Sequence, residues 1–369
     1  MKITKTMEAA WFGLLILAIL AGLYTVLKAF QEGQVIYGGT DTLFWTIPLA
    51  AYTYFALIST GLAFVASASI IFGVERYKPL VNRALFVAIA AFGAGIIAII
   101  MELGYPGNIM NYITSPNLTS SIWWETVMLS VFFIFLLVNF WMVQKGKKAM
   151  VPAVVLFIFA IGSSSTLGGS FGLVESRPAF FGEFMPVYFL FTALLGGIAG
   201  IVFVTLIYHN VTSKTIPEEQ KTQMNKVGRD MAIVTGFVLI IFISRTIIKM
   251  YSNSTGFAGF EHIFTHWPYY FELGLGLLLP ILLMAIPSVR ASVKGKVIAS
   301  FLVLIGILAG RISLLMSGQV NLTGSVPVGL SEIQTYSPTI WEWLVLIFAM
   351  STMLLIYTLG EKYLNLETT

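Results

Sequence analysis

The chain has 369 residues, of which 57% are hydrophobic and only 10% are charged. A soluble globular domain carries about 25% charged residues, so most of the surface of this chain is not predicted to meet water. The net charge of +4 is therefore no sign of nucleic-acid binding, and the lack of cysteine excludes iron–sulfur clusters and c-type haem held by this chain.

Ten apolar stretches are each long enough to cross about 30 Å of hydrocarbon. The first stretch is too long for the core of a cleaved signal peptide, so it is interpreted as a retained helix. The polar link 209–230 is interpreted as a solvated loop, and short connections elsewhere predict a single membrane domain. The predicted spans cover residues 7–27, 44–72, 83–101, 121–143, 150–169, 184–208, 231–249, 269–287, 296–315 and 338–360.

The positions of the positive residues predict the orientation. Most of the 21 lysines and arginines fall at the termini and in the loops that follow even-numbered spans. Because such residues remain on the cytoplasmic side, both termini are predicted to be cytoplasmic. Most tryptophans fall at the opposite, outer helix ends, as in an interfacial aromatic belt.

A few ionisable residues lie within the predicted spans, where a charge at the bilayer centre costs about 2.5–3.5 kcal/mol on insertion scales. Each lies in the outer half of its helix, whereas the inner halves are almost purely apolar. This asymmetry predicts a polar cavity near the outer face above a sealed cytoplasmic floor. The residues are Glu102, Glu125, Arg245, Glu272, Arg311 and Glu342.

Three of these acids, Glu125, Glu272 and Glu342, follow aromatic residues at the outer start of a helix. Such an acid either caps the helix or belongs to a site. Arg245 and Arg311 are expected to pair with the acids, as a structural network or as part of a proton or ligand path. The spacing of Glu125 and Glu272, four spans apart, suggests a four-helix unit used twice.

The histidines do not support a haem held between helices, since His209 lies at a predicted cytoplasmic helix end. His262 and His266 share one outer loop and could bind a metal together with Glu261, although a packing role in the loop is favoured. No metal site is predicted.

An ordered series of short motifs carries a family resemblance. The second to fourth spans contain Tyr54-Phe55 with Gly61, Glu102-Leu103-Gly104-Tyr105-Pro106, Ser115-Pro116-Asn117 and Ser120-Ser121-Ile122-Trp123-Trp124. Later motifs are Arg177-Pro178, Glu272 with Gly276 and Pro280, Gly310-Arg311, and Tyr336-Ser337-Pro338 through Trp341-Glu342. The chain resembles the NrfD-like family of polysulfide reductase membrane subunits. The later motifs are similar to its ten-helix branch, which includes membrane subunits of hydrogenase-2, alternative complex III and the Dsr complex.

The resemblance implies an all-α integral membrane protein with two four-helix bundles, at about 44–169 and 184–315, flanked by helices 7–27 and 338–360. It further implies a subunit that carries no redox cofactor of its own and binds a quinone, often menaquinone, near the outer face. An extracytoplasmic iron–sulfur subunit would exchange electrons with that quinone, in the cytoplasmic membrane of a prokaryote.

The resemblance also suggests roles for individual residues. Tyr52 or Tyr54 occupies the region where several family members place a quinone-binding histidine, and Trp124 is expected to line the ring pocket. Glu102 or Glu125 would then take up protons. The main alternative is a proton- or ion-translocating, transporter-like subunit without quinone chemistry, since repeated bundles and intramembrane charges fit that class too.

Overall fold

The computed structural model describes residues 5–175, 177, 179–212, 218–251, 263–264, 266–320 and 336–367, and this part of the chain is helical with short connections. Ten helices are long and apolar enough to cross a membrane, so the predicted all-α membrane fold is confirmed. They are α1 (Lys5–Glu32), α2 (Ile47–Phe72), α3 (Val81–Glu102), α4 (Ser121–Gln144), α5 (Met150–Gly172), α6 (Phe184–Thr212), α7 (Glu218–Met250), α8 (Trp267–Ala285), α9 (Val293–Val320) and α10 (Ile340–Tyr363). Short helical turns lie between them at Gly33–Ile36, Lys78–Leu80, Pro106–Met110, Asn111–Thr114 and Pro287–Ala291.

The helices form two four-helix bundles. In the first bundle α2, α3, α4 and α5 pack in a closed ring, each against the next, and in the second α6, α7, α8 and α9 do the same. The bundles meet where α2 packs against α6 and α9 and where α5 packs against α6. Helices α1 and α10 pack against each other and reach the first bundle mainly through α3.

Helix α7 begins much earlier than the sequence predicted. It starts at Glu218, so the interpretation of the whole 209–230 link as a loop was wrong. The missed signal is an amphipathic one: Met224, Val227 and Met231 recur every three or four residues and are fully buried. Their polar neighbours lowered the mean hydropathy and concealed the helical period.

Helix α8 changes its winding inside the membrane. Residues Glu272–Leu278 form a π-helix, and an α-helical turn follows from Leu279. Pro280 lies at the start of that turn, where its missing N–H is tolerated. A π segment thus immediately precedes the turn that contains Pro280, and such segments are frequent at functional sites.

Glycine allows the two bundles to approach closely. A Cβ atom built on Gly61 of α2 would overlap the backbone carbonyl of Ala193 in α6. A Cβ on Gly197 of α6 would overlap the backbone carbonyl of Gly61 in the same way. The helix backbones therefore touch at this crossing, as is common where small residues line membrane helix interfaces.

We expect Gly61→Ala to separate the bundles and to lower stability by about 1–3 kcal/mol, the usual cost of overpacking. The control is Gly93→Ala in α3, since a Cβ there has no neighbour within 4 Å. Thermal unfolding in detergent, followed by size-exclusion chromatography, measures the difference. Equal midpoints for the two variants would contradict the close crossing.

The two ends of the molecule differ in charge. One end, called here the carboxylate end, contains Glu102 at the end of α3 and Glu342 at the start of α10. The other, the termini end, contains the ion pair Lys362–Glu8, with an Nζ–Oε1 distance of 2.7 Å. The charge distribution predicts that the termini end is cytoplasmic.

The termini end contains two buried cations. Arg83 is 1% exposed and its Nε lies 2.6 Å from Glu361 Oε1. Lys296 is 2% exposed, and its ammonium donates to Asn225 Oδ1 at 2.6 Å and to two backbone carbonyls. Both cations lie in the first turn of their helices, at the end where the sequence places most positive residues, and each is buried with its own acceptors.

Candidate functional site

Three helices of the first bundle bring together a buried acid and two hydroxyl groups. The Tyr52 hydroxyl of α2 donates to Glu125 Oε1 of α4 at 2.7 Å. The Ser170 hydroxyl of α5 donates to Glu125 Oε2 at 2.8 Å. Glu125 is only 6% exposed. We call Tyr52, Glu125 and Ser170 the first-bundle cluster.

Local helix geometry places this cluster near the carboxylate end. Ser120 caps α4, its hydroxyl accepting from the Trp123 N–H at 3.4 Å, so Glu125 lies in the second turn. Tyr52 follows the N-cap residue Thr46 by six residues, which corresponds to about 9 Å along the axis. Ser170 lies in the last turn of α5. The cluster is therefore within about two helical turns of the helix ends at the carboxylate end.

The structure distinguishes the two candidate tyrosines. Residues two apart on a helix point about 200° apart, so Tyr52 and Tyr54 cannot face the same acid. Tyr52 is the one that contacts Glu125. Tyr54 is buried, and its ring packs edge-on against Phe55 with centroids 5.1 Å apart.

Glu102 belongs to a separate arrangement at the start of α2. Its carboxylate accepts from the Thr46 backbone N–H at 2.8 Å and from the Thr46 hydroxyl at 2.5 Å. An anion at a helix N-terminus is stabilised by the helix dipole and by the free N–H groups. The geometry thus gives Glu102 a capping role on α2.

Trp124 lies at the edge of the first bundle. It is 43% exposed, and its indole N–H donates to the Leu118 carbonyl at 2.9 Å. The neighbouring Trp123 donates to the Tyr112 carbonyl at 2.9 Å, so both indoles anchor the segment that precedes α4. Trp124 therefore lies at the edge of the bundle, and the next residue along the chain is the cluster acid Glu125.

The second bundle repeats the tyrosine–acid pair. Tyr188 in the first helix of this bundle donates to Glu272 in its third helix, as Tyr52 does to Glu125. Gly310 makes room for this acid, because a Cβ there would overlap the Glu272 carboxyl group. The structure thus agrees with a four-helix unit used twice.

The two buried arginines lie against aromatic rings. The Arg311 guanidinium lies 4.1 Å from the Phe189 ring centroid and 5.0 Å from that of Tyr188. Arg245 lies 5.2 Å from the Tyr188 centroid. Within the described part of the chain neither arginine comes within 4.0 Å of an acid oxygen, so the predicted pairing is not a direct ion pair, although both cations are close enough to act on Glu272 electrostatically.

Cation–π contacts of this kind contribute about 0.5–2 kcal/mol each. The effective cost of burying an ion is still several kcal/mol. The rings therefore offset only part of the cost of burying Arg245 and Arg311. We call Tyr188, Arg245, Glu272 and Arg311 the second-bundle cluster.

Glu342 is fully buried and connects α10 to the segment before α2. It accepts from the Gly38 N–H at 2.7 Å, the Ile47 N–H at 3.0 Å and the Tyr336 hydroxyl. It also completes a capping box with Thr339. Burial and the nearby Glu342 carboxylate raise the pKa of Tyr336 well above its ordinary value, which keeps this hydroxyl a donor.

The described residues contain no cluster of three or more His, Asp or Glu side chains that could hold a metal ion. His262 and Glu261, which were considered with His266 for a shared metal, lie outside the described residues. His266 precedes α8 as its N-cap residue.

Comparison with known proteins gives the class. The sequence model described as polysulphide reductase, NrfD, matches residues 36–323. The chain therefore belongs to the NrfD family of polysulphide reductase membrane proteins.

Several curated relatives cover most of the chain. One relative is a Halobacterium salinarum protein that is provisionally named as a membrane subunit of dimethyl sulfoxide reductase. It is 24% identical to this chain, and the match covers 98% of this chain and 92% of the relative. The Hdr-like menaquinol oxidoreductase integral membrane subunit of Archaeoglobus fulgidus is 23% identical, and the match covers 86% of this chain and 84% of the relative. A protein of Mesobacillus selenatarsenatis that is named as a subunit of selenate reductase is 19% identical, and the match covers 96% of this chain and 93% of the relative.

Sequence reasoning missed two residues that the structure brings to the clusters. Ser170 is one of many small polar residues in an apolar helix, and nothing in its local sequence distinguishes it. Tyr188 could have been found, since it stands four residues after the start of α6, much as Tyr52 stands five residues after the start of α2.

Proposed function

We propose that this chain is the quinone-reactive membrane subunit of a respiratory oxidoreductase complex. A quinol, menaquinol in the first instance, binds at the first-bundle cluster near the outer membrane surface. The observation that carries the proposal is the hydrogen-bonded set of Tyr52, Glu125 and Ser170 buried among three helices. Membership of the family and the printed names of the relatives support it.

The chemistry of the cluster fits a quinone head group. A carboxylate offers about four lone-pair directions, and Tyr52 and Ser170 use two of them. Glu125 therefore retains capacity to accept a hydrogen bond from a quinol hydroxyl. The Tyr52 oxygen can accept from the same group or donate to a quinone carbonyl.

Each residue then has a defined task. Bound quinol supplies two electrons and two protons on oxidation. Glu125 holds a proton at a carboxylate oxygen, Tyr52 orients the head group, and Ser170 fixes the carboxylate. Trp124 forms the rim on the lipid side, and Glu102 keeps the start of α2 in place through Thr46.

We further propose that the electrons are exchanged with a partner subunit that carries iron–sulfur clusters and docks above the carboxylate end. The relatives are named as subunits of reductases or of a menaquinol oxidoreductase, which supports a multisubunit assembly. The chain itself contains no cysteine to ligate a cluster. Both termini lie in the cytoplasm of a prokaryotic cell in this proposal.

We expect Tyr52→Phe to weaken binding of a quinol analogue by about tenfold, the usual effect of losing one hydrogen bond of roughly 1.4 kcal/mol. Tyr54→Phe is the matched control on the same helix and should bind the analogue as the parent chain does. Quenching of a fluorescent quinol analogue, titrated with each variant, measures the affinity. Equal weakening by both variants would contradict the placement of the site.

The alternative function is ion translocation without quinone chemistry. It is favoured by the second-bundle cluster and by buried polar groups toward the termini end, such as Thr205 and Ser300 of α6 and α9. Under our proposal Arg245, Glu272, Arg311 and Glu342 instead form structural and electrostatic networks that hold the helices in register.

Extraction of the native complex separates the two functions. We expect menaquinone and an iron–sulfur subunit to co-purify with the chain, and we expect added quinol to reduce the clusters of that subunit. A chain that purifies without quinone and without redox partners, and that moves ions in proteoliposomes, would support the alternative.

A further inference from the structure

The second-bundle cluster contains more positive than negative charge. Arg245 and Arg311 are 7% and 2% exposed, and Glu272 is 5% exposed. Among the described residues no acid oxygen, that of Glu272 included, lies within 4.0 Å of either guanidinium. The cluster therefore has a charge of +1 when Glu272 is ionised and +2 when it is protonated.

Several donors in this cluster have no acceptor in the described part of the chain. Arg311 Nη2 donates to the Thr192 hydroxyl at 2.5 Å, but Arg311 Nε and Nη1 are buried without a partner. Arg245 Nη1 contacts Met185 Sδ at 3.7 Å, and a thioether is a weak acceptor. Buried charged donors are normally paired, so these point to an acceptor that a ligand supplies.

The aromatic rings do not replace this acceptor. The Arg311 Cζ atom lies 4.1 Å from the Phe189 ring centroid and 5.0 Å from that of Tyr188, and an aromatic ring is a weaker hydrogen-bond acceptor than an oxygen or an anion. Water could accept those hydrogen bonds, yet it would leave the surplus charge uncompensated in a medium of low dielectric constant. An anion satisfies both requirements.

The first-bundle cluster differs from the second-bundle cluster in its buried charge. In the first bundle the tyrosine–acid pair is completed by the neutral Ser170 from the fourth helix, so no surplus positive charge is buried. In the second bundle the fourth helix contributes Arg311. The fourth helix thus adds a neutral hydroxyl to the pair in the first bundle and a cation in the second.

We propose that the second-bundle cluster binds a small monovalent anion of the size of chloride. The anion accepts hydrogen bonds from Arg311 Nε and Nη1, and Arg245 provides the second positive charge across the Tyr188 ring. We choose a small ion because the Glu272 carboxyl group already occupies the position next to Gly310, which limits the space beside Arg311.

The test uses the full chain purified into nanodiscs in sodium gluconate and titrated with radioactive chloride. We expect saturable binding by the parent chain. Arg311→Gln should weaken it by at least about tenfold, the effect of removing a charged hydrogen-bond donor. Arg290→Gln, which changes an arginine at the opposite end of the second bundle, is the control and should bind chloride normally.

A second variant and a second readout keep the proposal testable if Arg311→Gln does not fold. Arg245→Gln should also weaken chloride binding, and bromide soaked into crystals should give an anomalous peak beside Arg311. Absence of saturable binding by the parent chain would overturn the proposal. So would unchanged binding in Arg311→Gln, or a carboxylate of this chain seated on Arg311 in an experimental structure. Binding of the quinol analogue at the first bundle is a separate measurement that none of these outcomes decides.

Discussion

Replacing Glu125 by glutamine is expected to lower quinol-dependent turnover of the complex by about 10²–10⁴-fold, the usual contribution of a positioned general base. The amide keeps the size of the side chain and can still accept from Tyr52 or Ser170, which donate at 2.7 and 2.8 Å. It cannot hold a transferred proton. Affinity for a quinol analogue should therefore change much less than turnover does.

The control for Glu125→Gln is Glu102→Gln. Glu102 caps α2 through Thr46, so its amide variant should lose stability while it retains most of the turnover per folded complex. Stopped-flow reduction of the partner subunit by quinol, normalised to the folded fraction, gives both values. A larger loss of turnover in Glu102→Gln than in Glu125→Gln would reverse the roles assigned here.

Glu342→Ala is expected to be strongly destabilising, by about 3–5 kcal/mol, because it removes the shared acceptor of several buried hydrogen-bond donors. The substitution would leave the Gly38 N–H and the Tyr336 hydroxyl without their acceptor, and the Ile47 N–H would keep only the Tyr336 oxygen at 2.9 Å. Each unsatisfied buried donor costs about 1–3 kcal/mol. The capping box of α10 would be lost as well.

Thermal unfolding and the yield of monodisperse protein in detergent measure this effect. Glu183→Ala, which changes an acid in the connection before α6, is the control and should leave the unfolding midpoint unchanged. If Glu342→Ala unfolded at the temperature of this control, the network around Glu342 would not hold α10 to the start of α2.

The helix count could be predicted from the sequence because a helix that crosses the bilayer needs a long apolar stretch, and hydropathy averaged over a long window detects such stretches. Helix α7 shows a limit of this hydropathy signal. Its first residues extend beyond the apolar window and are held by Met224 and Val227, which hydropathy averages with charged neighbours. The crossing of α2 and α6 at Gly61 and Gly197 was not predictable either, since glycines are common in membrane helices.

The candidate site was predictable in part. Glu125 stands out as a carboxylate inside an apolar span, which is costly and therefore informative. The choice between Tyr52 and Tyr54 depends on the rotation of α2, which only packing determines. The direct ion pairs expected between the arginines and the acids are absent from the described residues for a similar reason. The sequence places these residues at similar depths, but aromatic rings lie against the guanidinium groups in the structure.

The most direct test is an experimental structure of the native complex with a bound quinol analogue. Our proposal predicts that the head group lies in the first bundle, within hydrogen-bond distance of the Tyr52 hydroxyl and a Glu125 carboxylate oxygen. It also predicts that this bundle end faces an iron–sulfur subunit outside the cytoplasm. A head group bound elsewhere, or a first-bundle cluster that faces the cytoplasm, would contradict it.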